Sequence, residues 1–84
     1  PEAVNLSFGY AESNDVVIPN AVVSGRHARI YLDGDRYLLE DQGSTNGTWL
    51  RDTRVQLADI RVGDTFKLGS YQLEFTDDLR DRLI

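Results

Sequence analysis

Four neutral hydrogen-bonding side chains crowd the stretch Gly43-Ser44-Thr45-Asn46-Gly47-Thr48. Ser44, Thr45 and Thr48 bring hydroxyls and Asn46 an amide, all able to donate without carrying charge. Gly43 and Gly47 open backbone angles closed to other residues, and Asn-Gly is a strong tight-turn signal. A loop held by glycines and rich in donors suits a ligand rich in acceptors, such as a phosphate or a peptide backbone. The competing reading is a hairpin whose polar side chains cap its own backbone.

Other chemistries are weighed on the same residues. Ser24, His27 and Asp41 are the components of a hydrolytic triad, but His27 is the one histidine in the chain. A serine and a histidine three apart at a loop-to-strand junction more often cap the backbone, so no catalytic residue and no enzyme is expected. Asp33-Gly34-Asp35 with Glu40 lacks the repeated acidic ligands of a calcium loop and reads as a hairpin turn. One histidine and no cysteine argue against a transition-metal site, and no cofactor is expected. Asn5-Leu6-Ser7 and Asn46-Gly47-Thr48 match the glycosylation acceptor pattern, which is idle in an intracellular protein.

The elements that position these residues must fit in 84 residues, enough for one domain with a modest core. The absence of cysteine fits an intracellular, cytoplasmic home, and no apolar run is long enough to span a bilayer. A net charge of −5 argues against nucleic acid or an anionic membrane as partner. Eight of the nine basic residues are arginine, the side chain suited to bidentate contact with phosphate or carboxylate.

Alternation at the period of a sheet predicts strands over Pro1–Phe8, Val16–Ile18, Ala28–Leu32, Arg36–Glu40, Thr65–Leu68 and Tyr71–Phe75. Trp49-Leu50 and Arg54–Leu57 add short segments, and Ala58–Asp64 reads as a connection. Asp33-Gly34 and Gly69-Ser70 are hairpin turns, and Arg51-Asp52-Thr53 turns the chain. No segment sustains a helical period. Leu79, Leu83 and Ile84 fit one face of a last helical turn, but residues 77–84 read as a tail or linker beyond a domain over residues 1–76. Many short strands with regular turn signals mean an all-β sandwich or barrel.

The order of the motifs resembles one family. Ser24-x-x-His27, then Ser44-Thr45-Asn46-Gly47-Thr48, then Gly63-Asp64-x-x-x-Leu68-Gly69 together resemble the forkhead-associated (FHA) domain, over about Leu6 to Phe75. The resemblance implies an antiparallel sandwich of two sheets that binds phosphothreonine peptides with loops at one end, as a non-catalytic signalling adaptor. It implies that Ser24 and Thr45 donate to the phosphate, Asn46 bonds the peptide backbone, and Ser44 belongs to the same site. Gly9, His27 and Gly47 would support the loops, and the partner would be a protein segment phosphorylated on threonine.

Two positions depart from the family pattern. Its first loop opens with Gly-Arg, whose arginine contacts the ligand, where this chain has Gly9-Tyr10. The residue after the motif serine is usually Arg or Asn, where this chain has Gly25. Both changes remove donors, which points to weak phosphopeptide binding, with Arg26, Arg29 or Arg51 as substitutes. The alternative is an FHA scaffold that binds a partner or neighbouring domain without phosphate.

Overall fold

A computed structural model describes residues 4–83 as two stacked sheets. The larger contains β1 (Asn5–Gly9), β2 (Val16–Val17), β3 (Ala28–Asp33), β4 (Arg36–Asp41) and β7 (Leu57–Ile60), in the order β2-β1-β3-β4-β7. The smaller contains β5 (Thr48–Leu50), β6 (Thr53–Val55), β8 (Thr65–Leu68) and β9 (Tyr71–Glu74), in the order β6-β5-β8-β9. The all-β sandwich expected from the alternation is therefore present. Residues 1–3 of the expected first strand lie outside the described residues.

Alternation fixes which side chains meet between the sheets. Leu6 pairs with Ile30 and Ile30 with Leu39, so one inward row crosses three strands of the larger sheet. Leu50, Phe66 and Leu68 supply the facing row, and each of these core residues is at most 5% exposed. Phe8 and Phe66 join the layers edge to face, with ring centroids 5.6 Å apart. Truncating either ring would cost about 3–5 kcal/mol.

Three local expectations are corrected. β1 and β2 pair in parallel, so the sandwich is not wholly antiparallel. Ala58–Ile60 is not a connection but most of β7, which pairs with β4 from Tyr37↔Ile60 to Glu40↔Leu57. The expected tail contains α1 (Asp77–Asp81), whose first turn is capped by the Thr76 hydroxyl accepting from Leu79 N–H. Leu83 is 3% exposed and packs in the core, so the packed unit runs past residue 76. Five helical residues are too few to reveal a period, and burial of Leu79 and Leu83 supplies what propensity does not.

Candidate functional site

Four connections converge at the end of the sandwich where β4 gives way to β5. The β1–β2 loop is tied to the β2–β3 loop by Tyr10 N–H donating to Ser24 O at 2.9 Å and Ala11 N–H to Gly25 O at 3.2 Å. The Asn14 amide reinforces this tie, donating to Gly25 O at 2.6 Å and Ala11 O at 2.8 Å. Gly9 lets the loops approach: a Cβ there would lie 2.2 Å from Gly25 O. On the other side, Gly69 N–H of the β8–β9 turn donates to Gly47 O at 2.8 Å.

His27 is fully buried and joins the second loop to the third. Its Nδ1 accepts from Ser24 N–H at 3.0 Å, which leaves the ring proton on Nε2 to donate to Gly47 O at 2.8 Å. Both nitrogens are thereby committed to backbone groups. The serine hydroxyl has no bond to the ring, so Ser24, His27 and Asp41 do not form a triad.

Asp41 organises the third loop. It continues the inward row of Tyr37 and Leu39, opposite Ala28, and is 8% exposed. Its carboxylate accepts from Gly43 N–H at 2.9 Å, Ser44 N–H at 3.0 Å and Thr48 Oγ–H at 2.6 Å, and from the Ser44 hydroxyl. Burial pushes this carboxyl up, but the hydrogen bonds from Ser44, Thr48 and Gly43 together outweigh it and hold the pKa below its ordinary 3.8. Asp41 thus stays ionised and folds residues 42–47 around itself.

This geometry sorts the expected donors. Ser44 gives its proton to Asp41 while its oxygen accepts from Gly47 N–H at 3.0 Å, so the hydroxyl is spent inside the loop. Its expected place among the ligand contacts would then fall to groups other than this hydroxyl. Ser24 Oγ accepts from Thr45 N–H at 3.1 Å, which joins the two loops and leaves its own proton uncommitted. The Thr45 hydroxyl has no partner among the described residues, and Thr45 is exposed. Asn46 donates one amide proton to Val22 O at 2.8 Å, keeping its carbonyl oxygen and second proton available.

The expected arginines separate as well. Arg26 lies exposed on the second loop with no acidic partner among the described residues. Arg29 is held by Glu40 and stacks on Tyr31, 4.4 Å from the ring centroid. Arg51 sits at the far end of β5 and pairs with Asp64 at 3.6 Å. Tyr10 is 54% exposed beside Ser24, and Gly25 is exposed and open, its nearest neighbour for an added Cβ being Ala11 at 4.0 Å. Sequence reading missed Asp41 and Asn14 as loop organisers. The alternation Tyr37, Leu39, Asp41 was the available signal for the first, since it puts a carboxylate on the core face; none marked Asn14.

Comparison with known proteins places the chain in one family. The family model described as FHA domain matches residues 6–69. The chain is 35% identical over 77 residues to the ABC transporter ATP-binding/permease protein Rv1747 of Mycobacterium tuberculosis, covering 92% of this chain and 9% of that protein. It is 33% identical over 69 residues to the glycogen accumulation regulator GarA of Mycolicibacterium smegmatis, covering 82% of this chain and 44% of the regulator. The chain therefore spans less than half the length of these relatives. A structure from a study of phosphothreonine-dependent FHA domain interactions superposes with a TM-score of 0.79 at 31% identity, covering 88% of this chain and 77% of that one. The FHA-2 domain of M. tuberculosis Rv1747 gives a TM-score of 0.79 at 32% identity, over 92% and 70% of the two chains.

Proposed function

This chain belongs to the FHA-domain family, whose members bind phosphothreonine peptides in signalling, and we propose that Ser24, Thr45 and Asn46 are the residues with which it does so. The observation that carries the assignment is the 3.1 Å bond from Thr45 N–H to Ser24 Oγ. It holds the Ser24 hydroxyl against the Thr45 backbone of the neighbouring loop, and both residues carry a hydroxyl proton not committed to another described residue. A phosphate at their junction would accept both, and hydrogen bonds to an ionised acceptor are the strong kind. Asn46, next in the chain, would bond the peptide backbone with its free carbonyl oxygen and second proton.

The module is an adaptor without catalytic chemistry, since its histidine is consumed in holding loops together. Its partner is a protein segment phosphorylated on threonine. Lack of cysteine and a net charge of −5 agree with a cytoplasmic setting and with neither nucleic acid nor an anionic membrane as ligand. Binding is weak for the family, because Tyr10 and Gly25 stand where two donors are usual and Arg26 is the one candidate arginine on the site's own loops. The test is calorimetric titration with a degenerate phosphothreonine peptide library and its unphosphorylated twin at fixed salt. Binding of the phosphorylated form alone, lost in Ser24→Ala and Thr45→Ala, is the expected result. Equal binding of both forms would mark a scaffold that recognises its partner without phosphate.

A further inference from the structure

The outer face of the smaller sheet carries a row of side chains that the phosphate site does not use. Trp49 pairs with Arg54 on one side and Lys67 on the other, and Lys67 pairs with Gln72. Directly paired residues of antiparallel strands present side chains on the same face. Their neighbours Leu50, Phe66 and Leu68 fill the core, so this row points outward. Trp49 is only half-buried there.

This row is continuous with the binding loops. Trp49 Nε1–H donates to Asn46 O at 3.1 Å. A Cβ on Gly47 would lie 2.7 Å from Arg54 Nε, and one on Gly69 would lie 3.2 Å from Asn46 Cβ. A groove of about 350 Å³ lined by Trp49, Asp52 and Lys67 reaches the Gly69–Ser70 turn. Ion pairs take up Arg29, Arg36, Arg51 and Arg80, yet neither Arg54 nor Lys67 has an acid within 4.0 Å among the described residues. Two unpaired cations flank one partly exposed tryptophan in a chain whose net charge is −5. The larger depression of about 410 Å³ near the β3–β4 hairpin offers less, because two of its three arginines, Arg36 and Arg80, are already paired with aspartates and, among the described residues, only Arg61 is not.

We propose that Trp49, Arg54 and Lys67 extend the peptide site across the smaller sheet and select an acidic stretch flanking the phosphothreonine. This inference rests on the phosphothreonine reading above and adds the class of peptide. A chain leaving the phosphate past Asn46 meets Trp49 first. Its carboxylates then meet Arg54 and Lys67 on either side, while its apolar atoms cover the exposed part of the indole.

Trp49 is the sole tryptophan, so its fluorescence reports directly on this face. Three phosphothreonine peptides are titrated at low and high salt, one with a neutral flank and two with an acidic block. The block lies about three to six residues before or after the phosphothreonine, within extended-chain reach. The expected result is that one acidic peptide binds about three- to tenfold tighter than the neutral one and shifts the Trp49 emission. High salt should erode the preference, and Arg54→Gln with Lys67→Gln should abolish it. Phosphate-dependent binding with equal affinity for all three peptides overturns the extension and leaves the phosphothreonine reading standing. Binding that does not depend on phosphate overturns both.

Discussion

The imidazole of His27 donates to the carbonyl oxygen of Gly47 across 20 residues of sequence, at 2.8 Å, and that oxygen also accepts from Gly69 N–H. One buried backbone atom thus receives the second loop, through the ring, and the β8–β9 turn, through the main chain. The ring's other nitrogen fixes Ser24 N–H at 3.0 Å, so the serine proposed to face the phosphate and the Asn46-Gly47 turn are held by one side chain.

His27→Ala should therefore destabilise the domain and loosen the site together. It leaves Ser24 N–H without its acceptor in the interior and Gly47 O with one partner fewer, at about 1–3 kcal/mol. Denaturant unfolding measures the loss. A variant as stable as the parent would show that the clasp carries no stability.

Asp41 should contribute a stabilisation that depends on pH. Its pKa is held below the ordinary 3.8, because the donors from Ser44, Thr48 and Gly43 outweigh burial. The folded state therefore binds this proton less readily than the unfolded state. The stabilisation is fully present above about pH 4 and is lost as pH falls through the folded-state value. Asp41→Asn should cost about 1.5–3 kcal/mol at neutral pH and flatten the loss of stability on acidification. Ser44→Ala should lower stability too, through the same network. Parallel pH–stability curves for wild type and Asp41→Asn would assign the acid sensitivity elsewhere.

Arg51 and Asp52 turn β5 into β6 with φ of 50° and 61°, the left-handed angles of a two-residue hairpin turn. Arg51 adopts them at a cost, and Asp52 more readily than most residues but less readily than glycine. Asp52→Gly should relieve more than it loses in unfolded-chain entropy, a net gain of about 0.5–1 kcal/mol. For a domain of this size that raises Tm by about 2–8 °C. The Arg51–Asp64 ion pair is left in place. An unchanged or lowered melting temperature would count against strain at this turn.

The reversal at Arg51-Asp52-Thr53 was expected, but its left-handed backbone was not. Arg-Asp carries none of the Gly signal that marks the turns at Asp33-Gly34 and Gly69-Ser70. Strands with clean alternation, such as Ala28–Leu32, were legible because one face is buried. The short strand at Val16–Ile18 was foreseen, but its parallel pairing with β1 leaves no periodic trace. At the site, residue types identified the loop but not the division of labour within it. Ser44 and Thr45 are chemically alike in a sequence, and only the inward placement of Asp41 makes one an internal brace and leaves the other free.

At the proposed phosphate site, Tyr10 should set the ceiling on affinity. Its N–H is bonded to Ser24 O at 2.9 Å, so any side chain at position 10 starts beside the serine that would face the phosphate. The ring is 54% exposed, so a different side chain there displaces little packing. A tyrosine offers one neutral donor, whereas an arginine offers five and a positive charge. A hydrogen bond to a charged group contributes about 1.5–3 kcal/mol, and about 1.4 kcal/mol is tenfold in affinity. Tyr10→Arg should therefore tighten phosphothreonine-peptide binding by about tenfold or more, with little change for the unphosphorylated peptide. Gly25→Arg should add to this, since a Cβ at Gly25 meets only Ala11, at 4.0 Å. Thr45→Ala in the Tyr10→Arg background should remove much of the gain, because the phosphate then loses the donor that centres it between the loops. Isothermal titration of wild type and variants with one peptide pair at fixed salt decides the matter. A wild type that already binds as tightly as Tyr10→Arg would mean that Arg26 supplies the charge, and Arg26→Ala would then be the variant that loses affinity.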